Sequence, residues 1–224
     1  MQYRHEWKHE ISYADLLSIR QRLRAVAQPD EHAIDGKYLI RSLYFDNPED
    51  KALREKVDGV NRREKFRIRY YNGDLSLIHL EKKSKLNGLG TKFSAPLTAE
   101  QAQKIVDGEI DWMKDSEHDL IQELYCKMRY QRMAPKTIVD YTREPFIYRP
   151  GNVRVTFDSN IRSTLFHKGF LEEKITDIDV GDTQGHMILE VKFDDFLPEV
   201  IADIIQINCG RVAFSKYAAC RRFG

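Results

Sequence analysis

Three cysteines, Cys126, Cys209 and Cys220, are too few and too scattered for a disulfide framework, and none forms a C-x-x-C pair. That usage suits reduced thiols in a cytoplasm, where a free Cys packs as a small apolar residue. No apolar run approaches the length of a membrane span, which excludes direct membrane insertion by a helix. The opening MQYRHEWKHE lacks the apolar core of a signal peptide. There is no internal repeat, low-complexity tract or Pro/Gly-rich linker, so residues 1–224 read as one domain. An excess of one charge is missing as well. The 36 Lys and Arg against 35 Asp and Glu leave +1, too little to draw the chain to nucleic acid by a global field. The seven His are dispersed without ligand spacing. Gly88-Leu-Gly90 lacks the following G-K-[ST] of a P-loop and reads as a flexible loop delivering Lys92. No nucleophile–His–carboxylate set stands out.

What the chain does have is local charge. Charged residues are 32% of it, beside an apolar 42% that supports an ordinary core. The pattern alternates between elements. A first strand over residues 4–11 precedes a helix over SYADLLSIRQRLRAVAQ, with Ser12 as N-cap, Asp15 three residues on, and an apolar stripe of Leu16, Ile19, Leu23 and Val26. YLIRSLYFD, EKFRIRYYN, LSLIHLEKKS and KFSAPL read as strands, the middle two joined by the turn signal Asn72-Gly73-Asp74. Two helices follow: LTAEQAQKIVDG, capped by Thr98 with Gln101 and closed by Gly108, and HDLIQELYCKMRYQ, stopped by Pro135. Strands return in KTIVDYTREPF, NVRVTFDSNI, DIDVGDT and HMILEVKFD. LPEVIADIIQINCG, with Pro198 in its first turn, and FSKYAACRR read as helices. This is an α+β plan with antiparallel pairing.

Read by face, the strands gather charge. Arg4, Glu6, Lys8 and Glu10 share one side of the first strand. Arg67, Arg69 and Tyr71 share another, as do His79, Glu81, Lys83 and Lys85 on the next strand. Tyr141 pairs with Arg143, Glu190 with Lys192, and Arg154, Thr156 and Asp158 line a third face. An antiparallel sheet with one wet face shows the same alternation. Against that plain account, the positions are chemically selective: Arg, Lys and single Glu recur, with few Ser, Thr or Gln. The opposite faces carry Trp7, Phe66, Tyr70, Ile78, Leu80, Leu189, Val191 and Phe193, which suit packing against helices. The alternative is a closed barrel with helices outside and charge lining a wet interior.

Seven short motifs occur in order: Glu6-x-Lys8, Phe66-Arg-Ile-Arg-Tyr70, Leu80-Glu-Lys-Lys83, Tyr141-Thr-Arg143, Val153-Arg-Val-Thr-Phe-Asp158, Leu189-Glu-Val-Lys192 and Phe214-Ser-Lys-Tyr217. In that order they resemble the VTC domain, the polyphosphate polymerase domain of the vacuolar transporter chaperone complex, in the triphosphate tunnel metalloenzyme superfamily. The resemblance runs from about Tyr3 to Arg222 and is to the stand-alone prokaryotic version, without regulatory or membrane segments. It implies a closed antiparallel barrel around a basic tunnel, acting on ATP and inorganic polyphosphate or triphosphate with Mn²⁺ or Mg²⁺. Carried over by position, Arg67, Arg69, Lys83, Arg143 and Lys216 look catalytic. Lys8, Lys92, Tyr141, Arg154 and Ser215 look like substrate contacts, and Glu190, with Glu6 or Glu81 assisting, looks like the metal ligand. The plain alternatives stay open: Ser215 as a helix N-cap, Glu6 and Glu81 as counter-charges, Glu190 and Lys192 as a charge pair.

Two departures qualify the likeness. The family's polymerase has a further Lys where this chain has Ala213, and Arg211 is the candidate replacement. The related CYTH branch opens with E-x-E-x-K, whereas Arg4-x-Glu6-x-Lys8 replaces the first acid by a base. Fewer carboxylates favour phosphate clamping. The same clamp would serve a polymerase, a triphosphatase or a binding module, and Arg62 and Arg63 read as a solvated loop before the strand.

Overall fold

The computed structural model describes residues 4–87, 89–164, 168–180, 187–206 and 210–223. Tyr3, Gly88, Cys209, the GDT end of DIDVGDT and residues 207–208 of the helix expected there lie outside the described set. The strands are β1 His5–Ile11, β2 Gln28–Pro29, β3 Tyr38–Asp46, β4 Arg62–Tyr71 and β5 Asp74–Leu86. After them come β6 Leu89–Leu97, β7 Ala134–Tyr148, β8 Val153–Thr164, β9 Ile178–Asp179 and β10 Met187–Phe193. The helices are α1 Tyr13–Val26, α2 Lys51–Val57, α3 Ala99–Asp107, α4 Asp119–Gln131, α5 Glu199–Ile204 and α6 Lys216–Cys220.

Pairing is antiparallel in every described ladder, in the order β1-β10-β8-β7-β3-β4-β5-β6, with β2 on β7 and β9 on β8. This order has two ends. Among the described residues no ladder joins β1 to β6, so the closed barrel expected from the sequence is instead an open sheet. Both end strands show why. The outer edge of β1 is occupied by a short segment, with the Val212 amide donating to the Lys8 carbonyl at 2.8 Å and His9 bridging Arg211. β6 carries Pro96, which has no N–H to offer a further strand and marks an edge.

The chain divides into two compact units, Met1–Leu39 with Tyr141–Ile161 and Asp179–Phe214, and Ile40–Asp140 with Arg162–Ile178 and Ser215–Gly224. In the first, the apolar sides of β1, β8 and β10 pack with α1 and α5 through Val155, Leu189, Val191, Leu23 and Ile201. α1 starts as its sequence dictates: the Asp15 amide donates to the Ser12 hydroxyl at 3.2 Å while the Ser12 amide donates to the Asp15 carboxylate at 3.0 Å. Leu16, Ile19 and Leu23 are buried, but Val26 is the last helical residue and is exposed, outside the expected stripe.

In the second unit, Phe66, Ile68 and Leu80 are buried beneath Ile105 of α3 and Leu124 of α4. The β4–β5 hairpin turns on Asn72 and Gly73, at φ 53° and 72°, the paired positive φ that a tight hairpin requires. α3 has the expected Thr98–Gln101 capping box and a left-handed Gly108. α4 ends at Arg132, with φ 55°, ahead of Pro135.

Several boundaries moved. Arg62 and Arg63 belong to β4, opposite Leu86 and Lys85, because the hairpin ladder runs farther than the apolar alternation. Lys92 is likewise delivered by strand β6, opposite Lys83, rather than by a flexible loop. α2 was not legible. Its cap comes from outside: the Asp46 carboxylate at the end of β3 accepts the Ala52 amide at 2.8 Å and the Leu53 amide at 3.1 Å.

Candidate functional site

Strand alternation places one charged face in each unit, opposite the helices. In the first unit the register sets Lys8 opposite Glu190, Glu6 opposite Lys192, Glu190 opposite Thr156 and Lys192 opposite Arg154. Glu190 is buried and is contacted by two ammonium groups, Lys8 Nζ at 3.4 Å and Lys192 Nζ. Lys8 Nζ also meets Glu6 at 3.2 Å and donates to the Phe214 carbonyl at 3.4 Å. Burial works against the Lys8 charge, but Glu190 and Glu6 outweigh it and push the pKa above its ordinary value. Glu6, Lys8 and Glu190 thus form a carboxylate–ammonium–carboxylate chain.

Arg143 binds Asp158 in a fork, Nε to Oδ1 at 2.6 Å and Nη2 to Oδ2 at 2.7 Å, with its guanidinium 5.5 Å from the centre of the buried Tyr141 ring. Burial opposes its charge, and Asp158 overrides that and raises its pKa. Arg154 bonds Asp30 at 3.0 Å. Two polar atoms of this face, the Thr156 hydroxyl and Arg154 Nε, are buried without a hydrogen-bond partner, and Thr156 lies opposite Glu190 in the register. Buried polar groups are normally satisfied, so an orphan on a charged face is informative.

In the second unit, Arg67 and Arg69 are almost fully buried, at 7% and 4% exposure, so they do not lie on a wet face. Arg67 Nε donates to Glu81 Oε2 at 2.7 Å and Nη1 to the Tyr44 hydroxyl at 2.9 Å, while Arg69 Nε donates to Ser42 Oγ at 2.9 Å. Glu81 gathers three cations: Arg67 Nη2 at 2.5 Å, Arg69 at 4.0 Å, and Lys92. Burial alone would raise the Glu81 carboxyl, but Arg67, Arg69 and Lys92 hold it well below the carboxylate range. Burial would likewise raise Tyr44. Arg67, Lys65 and Arg69 reverse this and bring its phenol down to about 7. Lys83 stands opposite both Lys65 and Lys92.

Ser215 is the N-cap of α6, its hydroxyl accepting the Ala218 amide at 3.4 Å. Lys216 opens that five-residue helix. α6 is docked by the next residue, Tyr217, which stacks on Tyr44 at 5.1 Å and donates to Asp46 at 2.7 Å. Arg211 lies 3.5 Å over the Trp7 ring, and Trp7 packs with the apolar core of the first unit. It is turned to the opposite side of β1 from Lys8 and does not replace a lysine at Ala213.

Of the thirteen expected residues, six therefore lie in the first unit (Glu6, Lys8, Tyr141, Arg143, Arg154, Glu190) and seven in the second (Arg67, Arg69, Glu81, Lys83, Lys92, with Ser215 and Lys216 on α6). Sequence reasoning missed Tyr44, Ser42, Lys65 and Asp30. Lys65 shares the parity of Arg67 and could have been found. Tyr44 and Ser42 lie in YLIRSLYFD, where burial on both sides of β3 erases the alternation.

Antiparallel strands with helices on their apolar sides and ion-paired charged residues on their polar sides define an α+β protein. The chain belongs to the VTC domain family, whose model matches residues 3–223. No curated protein matches it significantly. Among solved structures it is similar to a protein of Pyrococcus horikoshii OT3, at 13% identity, 97% of each chain covered and TM-score 0.49. It is also similar to a putative adenylate cyclase from Bacillus halodurans (14% identity, 92% of this chain and 87% of that one, TM-score 0.49). A third likeness is to the triphosphatase of the Mimivirus capping enzyme (13% identity, 92% and 89% covered, TM-score 0.42). No described helix is long and apolar enough to cross a membrane.

Proposed function

We propose that the chain is a metal-dependent phosphotransferase that lengthens inorganic polyphosphate from ATP. A terminal oxygen of the chain attacks the γ-phosphorus, the bond from that phosphorus to the bridging oxygen breaks, and ADP leaves with the electron pair. One observation carries this reading: buried guanidinium groups, Arg67, Arg69 and Arg143, are held by carboxylates at fixed positions on strand faces. Phosphoryl transfer asks chiefly for positioning and charge neutralisation, and Arg offers phosphate a pre-organised fork. Lys8, Lys83, Lys92 and Arg154 add charge, with Lys216, Ser215 and Tyr141 as further contacts.

Mn²⁺ or Mg²⁺ fits the first unit's face. Such ions bind oxygen, retain water and need one or two carboxylates besides phosphate oxygens. Glu190 and Glu6 meet at one ammonium, and the unpartnered Thr156 hydroxyl lies beside Glu190. Among the described residues no group of three or more His, Cys, Asp and Glu gathers, so the remaining ligands fall to substrate and water. When bound, the ion supplies neutralisation of phosphate oxygens. Glu81 is enclosed by three cations and acts as their counter-ion.

A polyphosphate-binding module with little turnover is the second reading, favoured because Arg211 is spent on Trp7 and Ala213 carries no charge. Incubation with Mn²⁺ and ATP separates the cases. Long chains on a gel support polymerisation. Free phosphate alone indicates a triphosphatase, and neither product, with tripolyphosphate still bound, indicates a binding module.

A further inference from the structure

Tyr44 and Tyr70 are buried phenols that each accept from an arginine, and they differ in where their own proton goes. Arg41 Nη1 donates to the Tyr70 hydroxyl at 3.2 Å, and that hydroxyl donates onward to the Phe170 carbonyl at 2.8 Å. Tyr217 likewise donates to Asp46 at 2.7 Å. Tyr44 accepts from Arg67 Nη1 at 2.9 Å, but among the described residues no acceptor takes its proton. A buried O–H with nothing to donate to is unfavourable, and the charges around this one favour losing the proton. β4 brings Arg67 directly opposite Tyr44, Lys65 at 5.5 Å from the ring centre, and Arg69. On β5, the Glu81 charge is taken by Arg67, Arg69 and Lys92. α6 brings Tyr217, stacked on Tyr44 at 5.1 Å, after Lys216. On β7, Asp140 takes Arg41, and Lys136 meets Asp50 at 3.6 Å.

We infer that Tyr44 is a proton-coupled positioning residue: as a phenolate it holds Arg67 in the unliganded protein, and it takes up a proton when a phosphate chain binds that guanidinium. The inference rests on the proposed phosphate substrate and adds the pH dependence of its binding. The proton comes from the buffer, and the O–H is the only covalent bond that forms. Burial alone would raise the phenol, but Arg67, Lys65 and Arg69 bring it down to about 7. A bound polyanion offsets those same cations, so the phenol returns toward its ordinary 10.0. Between the two values binding therefore takes up a proton, and affinity falls as pH rises. Below about pH 7 the phenol is already protonated and the coupling vanishes. Tyr70, whose proton sits on a carbonyl and whose pKa is raised by burial, has no such role.

Tripolyphosphate titrated at low salt into the wild type, Tyr44→Phe and Tyr70→Phe tests this, with phenolate absorbance and calorimetric affinity as the two readouts. At about pH 8.5, midway between about 7 and 10.0, phenolate absorbance should drop as ligand binds to the wild type and to Tyr70→Phe. Tyr44→Phe, which keeps the ring and its stack on Tyr217, should lose that drop. From about pH 7.5 to about pH 8.5 the wild-type affinity should fall about fivefold to tenfold more than that of Tyr44→Phe, the linkage of nearly one proton. The difference between the two proteins removes the titration of the ligand itself, which they share. An absorbance that stays level while the wild type binds ligand would overturn the coupling, whether or not Tyr44→Phe folds, and leave the phosphate site standing. An equal pH dependence in Tyr44→Phe would do the same. A wild type that binds no tripolyphosphate at either pH would overturn the proposed substrate and the coupling with it.

Discussion

Arg67 is held from two sides, by Glu81 and by Tyr44, and each partner makes a separable prediction. Two guanidinium groups two residues apart on one strand face, Arg67 and Arg69, repel each other. Glu81, which lies opposite Arg67 on β5, relieves much of that repulsion internally. Glu81→Gln should then destabilise the protein by about 3 kcal/mol, because it strands buried cations, measured by denaturant unfolding. Since the folded carboxyl sits below its unfolded value, its stabilisation is present above the unfolded pKa. It is lost as pH falls through the folded one, so Glu81→Gln should flatten the acid limb of the stability profile. Tyr44 is likewise depressed, to about 7. Its contribution is absent below that pH and grows toward its unfolded value of 10.0. Phenolate absorbance should rise near pH 7 in the wild type and lose that step in Tyr44→Phe; a single step near the ordinary tyrosine pKa would contradict the cationic enclosure. Glu190→Gln keeps size but removes charge. Mn²⁺-dependent turnover should fall steeply, while metal-free tripolyphosphate affinity is kept or improved; an unchanged rate at sub-saturating Mn²⁺ would remove Glu190 from the metal site.

Elements with local signals were the legible ones. The Ser12–Asp15 and Thr98–Gln101 boxes, the Asn72-Gly73 turn and the alternation of FRIRYY each encode their structure within a few residues. Ser12→Ala should accordingly cost about 1 kcal/mol, seen as a lower melting temperature with polyanion affinity unchanged. A drop in affinity with no change in melting would mean that Ser12 does more than cap α1. What the sequence hid depends on partners far along the chain. α2 borrows its cap from Asp46, β4 begins at Arg62 because Leu86 is there to pair with, and Tyr44 is recognised only once β3 lies beside β4. Ser215 was read both as a cap and as a phosphate contact, and its hydroxyl is engaged as the cap.

At the scale of the molecule, the order of motifs was enough to point to the VTC domain, and the family match over residues 3–223 agrees. Closure of the sheet was not encoded by alternation, since an open sheet and a barrel share it. The central claim is that fixed cations on strand faces, rather than bulk charge, bind a phosphate chain; the net charge of +1 makes the two easy to separate. A ligand that binds only the folded state also raises its melting temperature. The most direct measurement is a calorimetric titration of tripolyphosphate at low salt into the wild type, Arg67→Ala and Arg62→Ala. The wild type and Arg62→Ala should bind alike and Arg67→Ala should bind about tenfold or more weakly, the loss of a charge-assisted hydrogen bond. No wild-type binding, or equal losses in the two variants, would contradict it.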